Sequence, residues 1–411
     1  MSFRKPTDAQ LVQHFFRKYY EKEYADVFVP SDFDKREFGY TPFGQKIMVR
    51  HLSFKSFEDL HKTLVKEAPL HVYRSAAIYR YPQAPMEEKG WIGGELIFDI
   101  DADHLNTGCK PAHDYLLCSS CRRKLVEKSS KCPDCGGDVI EVRMICDMCL
   151  GHTKMEMAKL IDFIETDFGL DDLTLSFSGN RGYHLSVSSK EVLELGRAER
   201  QEIVDYVMAN HIDLRMHGLF GGTDAFLPGY DDPGWRGRLA RETKKILDSL
   251  SDRRSSVYER LEKSLGAKTL EKLEAINSYW AARPRWDLLA TGRSGKQLIS
   301  LTAVAVENSI SHIDTVVTTD IHRLIRLADT LNGKTGLKAV VIKPEELEDF
   351  NPLNEAVVIP EQPTIKLRVI HSPQFILGGN VFGPYENEAV KLPAYAGVYL
   401  MCKGLGTLAN D

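Results

Sequence analysis

The stretch Glu95-Leu96-Ile97-Phe98-Asp99-Ile100-Asp101 decides the fold expected of this chain. Leu96, Phe98 and Ile100 recur with the two-residue period of a β-strand, which turns them to a core and brings Asp99 and Asp101 out together on the other face. Two carboxylates about 4 Å apart repel by roughly 4 kcal/mol at an effective dielectric near 20. A fold tolerates that when solvent screens the pair, when one acid is protonated, or when a divalent cation sits between them. The first case is a strand end with two solvated acids. The last suits Mg2+ or Mn2+ bound together with phosphate oxygens.

Around that strand the sequence alternates between β and α patterns. Residues 46–54, 71–79 and 91–101 are β-rich, and 172–189 read as strand, tight turn and strand. Helical spacing runs from Asp8 to Tyr24, with Leu11, Phe15 and Tyr19 on one side. It returns from Thr153 to Phe168, with an apolar stripe of Met157, Leu160, Ile161 and Ile164. The stretch 190–285 is helical and highly charged, broken by Gly-Pro loops near 218–237. Its charge run Arg253–Lys272 reads as a solvated helix face. Mixed elements follow at 297–345, then β-rich sequence with proline breaks. A chain of 411 residues can bury a large core in two or three domains, and 43% hydrophobic with 27% charged residues is ordinary globular composition. The net charge of −5 gives no global basic field for nucleic acid, although a local basic groove can coexist with an acidic exterior. The opening MSFRKPTDAQLVQHFF has no apolar signal region, and no stretch approaches about 18 uninterrupted apolar residues, which predicts a protein neither secreted nor membrane-spanning.

Seven of the eight cysteines lie within 109–149, and only Cys402, expected to be a buried small apolar residue, stands apart. Such crowding in a chain with no secretory signal points to metal rather than to disulfides. Cys118-x2-Cys121, ten residues, then Cys132-x2-Cys135-Gly136-Gly137 has the spacing of a zinc ribbon, in which each tight turn aims two thiolates at one tetrahedral ion. Cys109, His113, Cys146 and Cys149 remain. They either close a second site around the ribbon, or the ligands divide sequentially, with 109, 113, 118 and 121 in one site and 132, 135, 146 and 149 in the other. The complete ribbon favours nesting. Four protein ligands leave no open position, so both zinc ions are expected to be structural.

Ser178-Gly179-Asn180-Arg181-Gly182-Tyr183-His184-Leu185 sits at the turn between two predicted strands. Its glycines let the backbone turn tightly and approach a ligand. Ser178, Arg181 and His184 supply a hydroxyl, a guanidinium fork and an imidazole for polyphosphate oxygens. A plain glycine-rich hairpin is the competing reading. A third acid, Asp314, opens DTVVTTDIHRLIR (314–326), and Asn332-Gly333-Lys334-Thr335-Gly336 follows. Arg323 and Arg326, three apart on a predicted helix, and Lys334 in its glycine-flanked loop are phosphate-binding residue types. The loop is not a P-loop, because the upstream glycine at the required spacing is missing.

Taken in order, ELIFDID (95–101), SGNRGYHL (178–185) and DTVVTTDIHRLIR…NGKTGL (314–337) resemble the catalytic small subunit of archaeal and eukaryotic replicative DNA primase. REFGY…MVRHLSF (36–54) agrees more weakly, and the likeness spans roughly residues 8–345. The resemblance implies an α/β (α+β) fold, a primase-polymerase catalytic core of mixed sheets flanked by helices. Residues 1–108 would carry the Asp pair, 109–149 a zinc-binding insertion, 150–195 the Ser-Gly turn, 196–285 a helical insertion and 286–411 the third Asp. Asp99, Asp101 and Asp314 would be the catalytic ligands of two Mg2+ or Mn2+ ions. Arg50, Ser178, Arg181, His184 and Lys334 would contact the nucleotide, with Arg181, His184 and Lys334 neutralising its β and γ phosphates. Arg323 and Arg326 become candidates for a second nucleotide, since starting without a primer needs two. The family's zinc knuckle falls on Cys109, His113, Cys146 and Cys149, which makes the ribbon Cys118, Cys121, Cys132 and Cys135 an extra insert. One position departs from the family, which usually has His two residues before the loop lysine, where this chain has Asn332. A neutral amide cannot carry imidazolium charge, so weaker triphosphate binding or a different contact is expected there.

The function so implied is de novo synthesis of short primers from nucleoside triphosphates on a single-stranded DNA template. The expected partner is a large primase subunit in a heterodimer, without a membrane, in the cytoplasm of an archaeon or the nucleus of a eukaryote. Two other readings use some of the same residues. One is a primase-polymerase type repair or translesion polymerase that needs a primer. The other is a non-catalytic zinc-ribbon nucleic-acid-binding protein.

Overall fold

A computed structural model describes residues 7–22, 28–45, 47–125, 129–220, 227–290 and 295–409. The strand Leu96–Asp101 forms with Leu96, Phe98 and Ile100 buried and both aspartates half-buried. It pairs antiparallel with Gly182–Val187, which sets Asp101 opposite Gly182 and Asp99 opposite His184. A Cβ at position 182 would lie 2.3 Å from the Ile100 carbonyl oxygen, so only glycine permits this register. The four-stranded sheet continues through Leu173–Phe177 to Val340–Ile342.

A second four-stranded sheet has the order Leu324–Arg326, His71–Ser75, Phe38–Thr41, Val49–Leu52. All neighbours in the two sheets are antiparallel. Ile97 packs with Ala76, Val317 and Ile325, so the face bearing Asp99 and Asp101 is covered along its first half by the second sheet and by the helix Thr315–Thr319. The strand is thus buried on both faces, and its acids surface only at its end. A mixed α/β architecture of small sheets flanked by helices results.

The chain divides into two compact units. The first comprises Met1–Ala158, Asp172–Arg200 and Ile313–Asp411; it contains both sheets, the cysteine-rich insertion and every candidate site residue. Within it, the stretch after 345, which the sequence left unplaced, forms Ile365–Ser372 between Tyr385–Leu392 and Gly406–Leu408, with the helix Ala394–Cys402. That helix, AYAGVYLMC, is apolar all round and so shows no helical period. The Leu408 N–H donates to Asp8 Oδ1 at 2.8 Å. The second unit, Lys159–Asp171 with Gln201–His312, is helical. Trp280 and Trp286 meet edge to face at 5.0 Å, and Arg238 lies over the Phe163 ring while pairing with Asp167 at 2.8 Å. The helices Ser256–Leu265 and Ala267–Ile276 bury Tyr258, Leu261, Leu270 and Leu273 and expose the charges between them. The first helix of the chain spans Asp8–Lys22, and Tyr24 lies outside the described residues. The expected 153–168 helix starts earlier, at Asp147, and closes in a π-turn at Phe163–Asp167. No helix among the described residues is long and apolar enough to cross a membrane.

Candidate active site

Asp314 comes to the Asp strand from 213 residues beyond Asp101. It caps the helix Thr315–Thr319, its Oδ1 accepting from the Val316 and Val317 N–H groups at 3.0 and 3.3 Å, and its own N–H donates to the Asp99 carbonyl at 2.9 Å. Asp101 Oδ1 accepts from the Asp103 N–H at 2.8 Å. One oxygen of each side chain is thereby fixed, leaving the other for a ligand. Burial, and then the charge of Asp314, raise the Asp99 carboxyl to about 6, and burial raises Asp101 as well. Asp99, Asp101 and Asp314 offer carboxylate oxygens, the kind of donor a hard divalent cation such as Mg2+ or Mn2+ takes.

A cavity of about 170 Å³ opens beside Asp99 and Asp101. Ser178, Asn180 and His184 line it from the first sheet and its turn; Arg326 and Arg323 line it from the edge strand of the second sheet and the residue before that strand, and Lys334 from its loop. His184 Nε2 lies 3.5 Å from Asp99 Oδ1. Burial and the Arg326 charge hold its pKa down at about 4, which favours the neutral imidazole over the imidazolium. Arg323 and Arg326 are not on a helix: the helix stops at Thr319, and Leu324–Arg326 is a strand paired with Tyr73–Ser75. Arg326 stacks on the Tyr73 ring at 4.9 Å, and its Nη1 has no hydrogen-bond partner among the described residues. A buried donor without a partner is costly, and an anionic ligand would satisfy it.

His71, Tyr73 and Asn180 also line the cavity and were not singled out from the sequence. The signal was there for two of them, since the alternation His71-Val72-Tyr73-Arg74 puts both rings on one side of a strand. His71 Nδ1 accepts from the Gly333 N–H at 3.2 Å, and burial, with Arg326 and Lys334, lowers its pKa to about 3. Asn332 holds two loops together. Its Nδ2 donates to the Ser178 carbonyl at 2.9 Å and its Oδ1 accepts from the Lys334 N–H at 3.0 Å, while Thr335 Oγ1 donates to the Gly179 carbonyl. Gly179, at φ 75°, has Asn332 Cβ within 2.8 Å of where its own Cβ would stand. The two phosphate-type loops are therefore one joined structure. Asn332→Ala should cost about 1–3 kcal/mol by leaving a buried carbonyl unpaired, and should raise the KM for nucleotide more than it lowers kcat. Thermal melting and steady-state kinetics check both; an unchanged melting point would show that the joint carries no weight.

Two expected nucleotide contacts lie elsewhere. Arg181 is fully buried and absent from the cavity wall; its Nη1 donates to Asp114 at 2.9 Å and lies 3.2 Å from Asp103. Its spacing in the turn suited phosphate, but two carboxylates from other segments claim the guanidinium. Arg50 forms a bidentate pair with buried Glu37, Nε to Oε1 at 3.0 Å and Nη2 to Oε2 at 3.3 Å, and does not line the cavity either.

The eight remaining candidate ligands gather into two groups, Cys109, His113, Cys146, Cys149 and Cys118, Cys121, Cys132, Cys135, each with its ligand atoms within 4.8 Å of one another. This is the nested arrangement. Sulfur pairs stand 3.2–3.6 Å apart and every cysteine is free. Zn–S bonds of about 2.3 Å imply tetrahedral edges of about 3.8 Å, so both groups fit zinc with little movement. The ribbon sits on the small sheet Lys124–Leu125, Asp114–Cys118, Val139–Arg143.

Acidic oxygens for cations and cationic groups for phosphates, lining one cavity, define a nucleotide-handling centre. Comparison with known proteins agrees. The chain matches the family model described as DNA primase small subunit over residues 98–344. It is 33% identical over 408 residues to the DNA primase small subunit PriS of Nitrosopumilus maritimus, covering 98% of this chain and 99% of that one. It is 34% identical over 408 residues to PriS of Cenarchaeum symbiosum, with the same coverage, and 31% identical over 400 residues to PriS of Archaeoglobus fulgidus, covering 96% and 98%. The chain belongs to the DNA primase small subunit family. It is accordingly a nucleotidyltransferase of DNA primer synthesis.

Proposed function

We propose that this protein starts primers de novo, joining nucleoside triphosphates on single-stranded DNA, with Asp99, Asp101 and Asp314 holding two divalent cations. The observation that carries the reading is the cavity lined by the carboxylates of Asp99 and Asp101 together with Lys334, Arg323 and Arg326, whose Nη1 has no hydrogen-bond partner among the described residues. What the bound cations supply is Lewis acidity toward the attacking 3′-hydroxyl and the departing pyrophosphate. Lys334, on the loop fixed by Asn332, and Arg323 take up β and γ phosphate charge without needing to reorganise. Ser178 and neutral His184 contribute hydrogen bonds beside Asp99. Arg326, braced on Tyr73, serves the second nucleotide that initiation requires. Both cysteine groups hold structural zinc. A large primase subunit completes a heterodimer, and template binding through backbone phosphates should weaken steeply with salt.

The decisive experiment supplies only nucleoside triphosphates, Mn2+ or Mg2+ and unprimed single-stranded DNA, with and without a large primase subunit. Dinucleotides and longer products are expected. Synthesis only from an added primer would instead identify a repair-type polymerase, and no pyrophosphate release in any arm would leave a nucleic-acid-binding module.

A further inference from the structure

An unbroken line of polar contacts joins the Cys109, His113, Cys146, Cys149 group to Asp101. His113 places Nε2 3.2 Å from Cys146 Sγ and Nδ1 2.7 Å from Asp114 Oδ1. Arg181 Nη1 donates to both Asp114 oxygens, at 3.1 and 2.9 Å, and stands 3.2 Å from Asp103 Oδ1. The other Asp103 oxygen is paired with Arg143, at the end of the ribbon sheet. Asp103 then closes the line by donating its N–H to Asp101 Oδ1 at 2.8 Å. A second tie runs in parallel, since Lys403 Nζ donates to the Arg143 carbonyl at 2.7 Å and to Asn180 Oδ1, on the phosphate turn, at 3.3 Å.

We propose that Asp114, Arg181 and Asp103 are positioning residues, through which the metal held by His113 fixes Asp101 and so sets the affinity of the catalytic cation site. A histidine bound to metal at Nε2 is oriented by the carboxylate at Nδ1, and such outer partners typically govern metal affinity by 10–100-fold. Here that carboxylate is shared with a buried guanidinium whose Nη1 meets both anions while its Nη2 donates to Cys149 Sγ at 3.5 Å, which ties it to the same ligand group. The knuckle thus orients the reaction centre while taking no part in the chemistry. This rests on Asp101 being a cation ligand.

The test measures Mn2+ affinity of the full-length, nucleotide-free protein by the electron paramagnetic resonance of unbound Mn2+, alongside elemental zinc content. Asp114→Asn keeps an acceptor for His113 but loses the ion pair. It should retain zinc, weaken Mn2+ binding by at least about fivefold, the usual lower range of coupling between two sites, and recover its kcat at saturating Mn2+. Cys121→Ser, which empties the other group, should leave Mn2+ affinity within about twofold. Wild-type Mn2+ affinity in Asp114→Asn, or equal weakening in Cys121→Ser, overturns the proposal. If Asp114→Asn does not fold, Arg143→Ala, with a side chain 41% exposed, tests the same line. It should weaken Mn2+ about threefold, and no change overturns the coupling. Asp101→Ala separates the two readings. It should abolish the site, and if it binds Mn2+ like wild type the carboxylate assignment falls and this coupling with it.

Discussion

Asp101→Ala should lower nucleotide incorporation by at least about a thousandfold, the loss of some 4 kcal/mol of transition-state stabilisation, while the metal-free protein melts no lower than wild type. The side chain is half-buried among like charges, so its removal relieves repulsion as it removes a ligand. Asp99 makes the stability side of this measurable. Its carboxyl, raised from 3.8 to about 6, binds a proton more readily folded than unfolded. Stability of the metal-free protein should therefore fall as pH rises from about 4 to 6 and remain reduced above that, by roughly 3 kcal/mol at most. Asp99→Asn should raise the melting point at pH 7 and flatten this part of the pH profile, and Mn2+ should stabilise the wild type but not the variant. Calorimetry between pH 4 and 7.5 decides; a wild-type profile with no slope in that window would mean that the acids are not under strain.

Cys149→Ser should be the most destabilising single change in the cysteine-rich insertion. Cys149 is fully buried, stands 3.2 Å from Cys109 Sγ, and accepts from Arg181 Nη2 at 3.5 Å. Structural zinc contributes on the order of 10 kcal/mol to small domains that fold around it. Leu125, Cys118 and Cys132 make up the buried cluster under the ribbon, with Leu116 and Val139 beside it. Zinc content should fall from two to one per chain, with loss of incorporation. Cys121→Ser, at an exposed ligand, should also lose one zinc but leave the rest of the first unit folded. A wild-type protein carrying fewer than two zinc ions would refute the count.

The Asp strand and the two cysteine groups were legible because local pattern determines them. Alternation fixes which face an acid takes, and Cys-x2-Cys turns close on an ion almost regardless of context. The turn at Ser178–Gly182 was legible for the same reason, since the glycine at 182 is required by backbone contact. Arg181 was not legible, because its partners Asp103 and Asp114 lie about 70 residues upstream and nothing local marks them as its neighbours. Arg323 and Arg326 read as helical from their spacing, yet edge pairing with Tyr73–Ser75 outweighed that local preference. The helix Ala394–Cys402 was hidden by being buried on every side. Lys403, just after it, reaches Asn180 only through tertiary packing.

The 212 residues between Asp101 and Asp314 also constrain how the protein is made. At roughly 5–20 residues per second, a ribosome needs about 10–40 s to go from one to the other. For that interval the nascent polypeptide exists with two of its acids and no third, and the strap from Leu408 to Asp8 comes later still. Translation must pass Asp314 before the three acids can come together, so products released before that point would be inert rather than partially active.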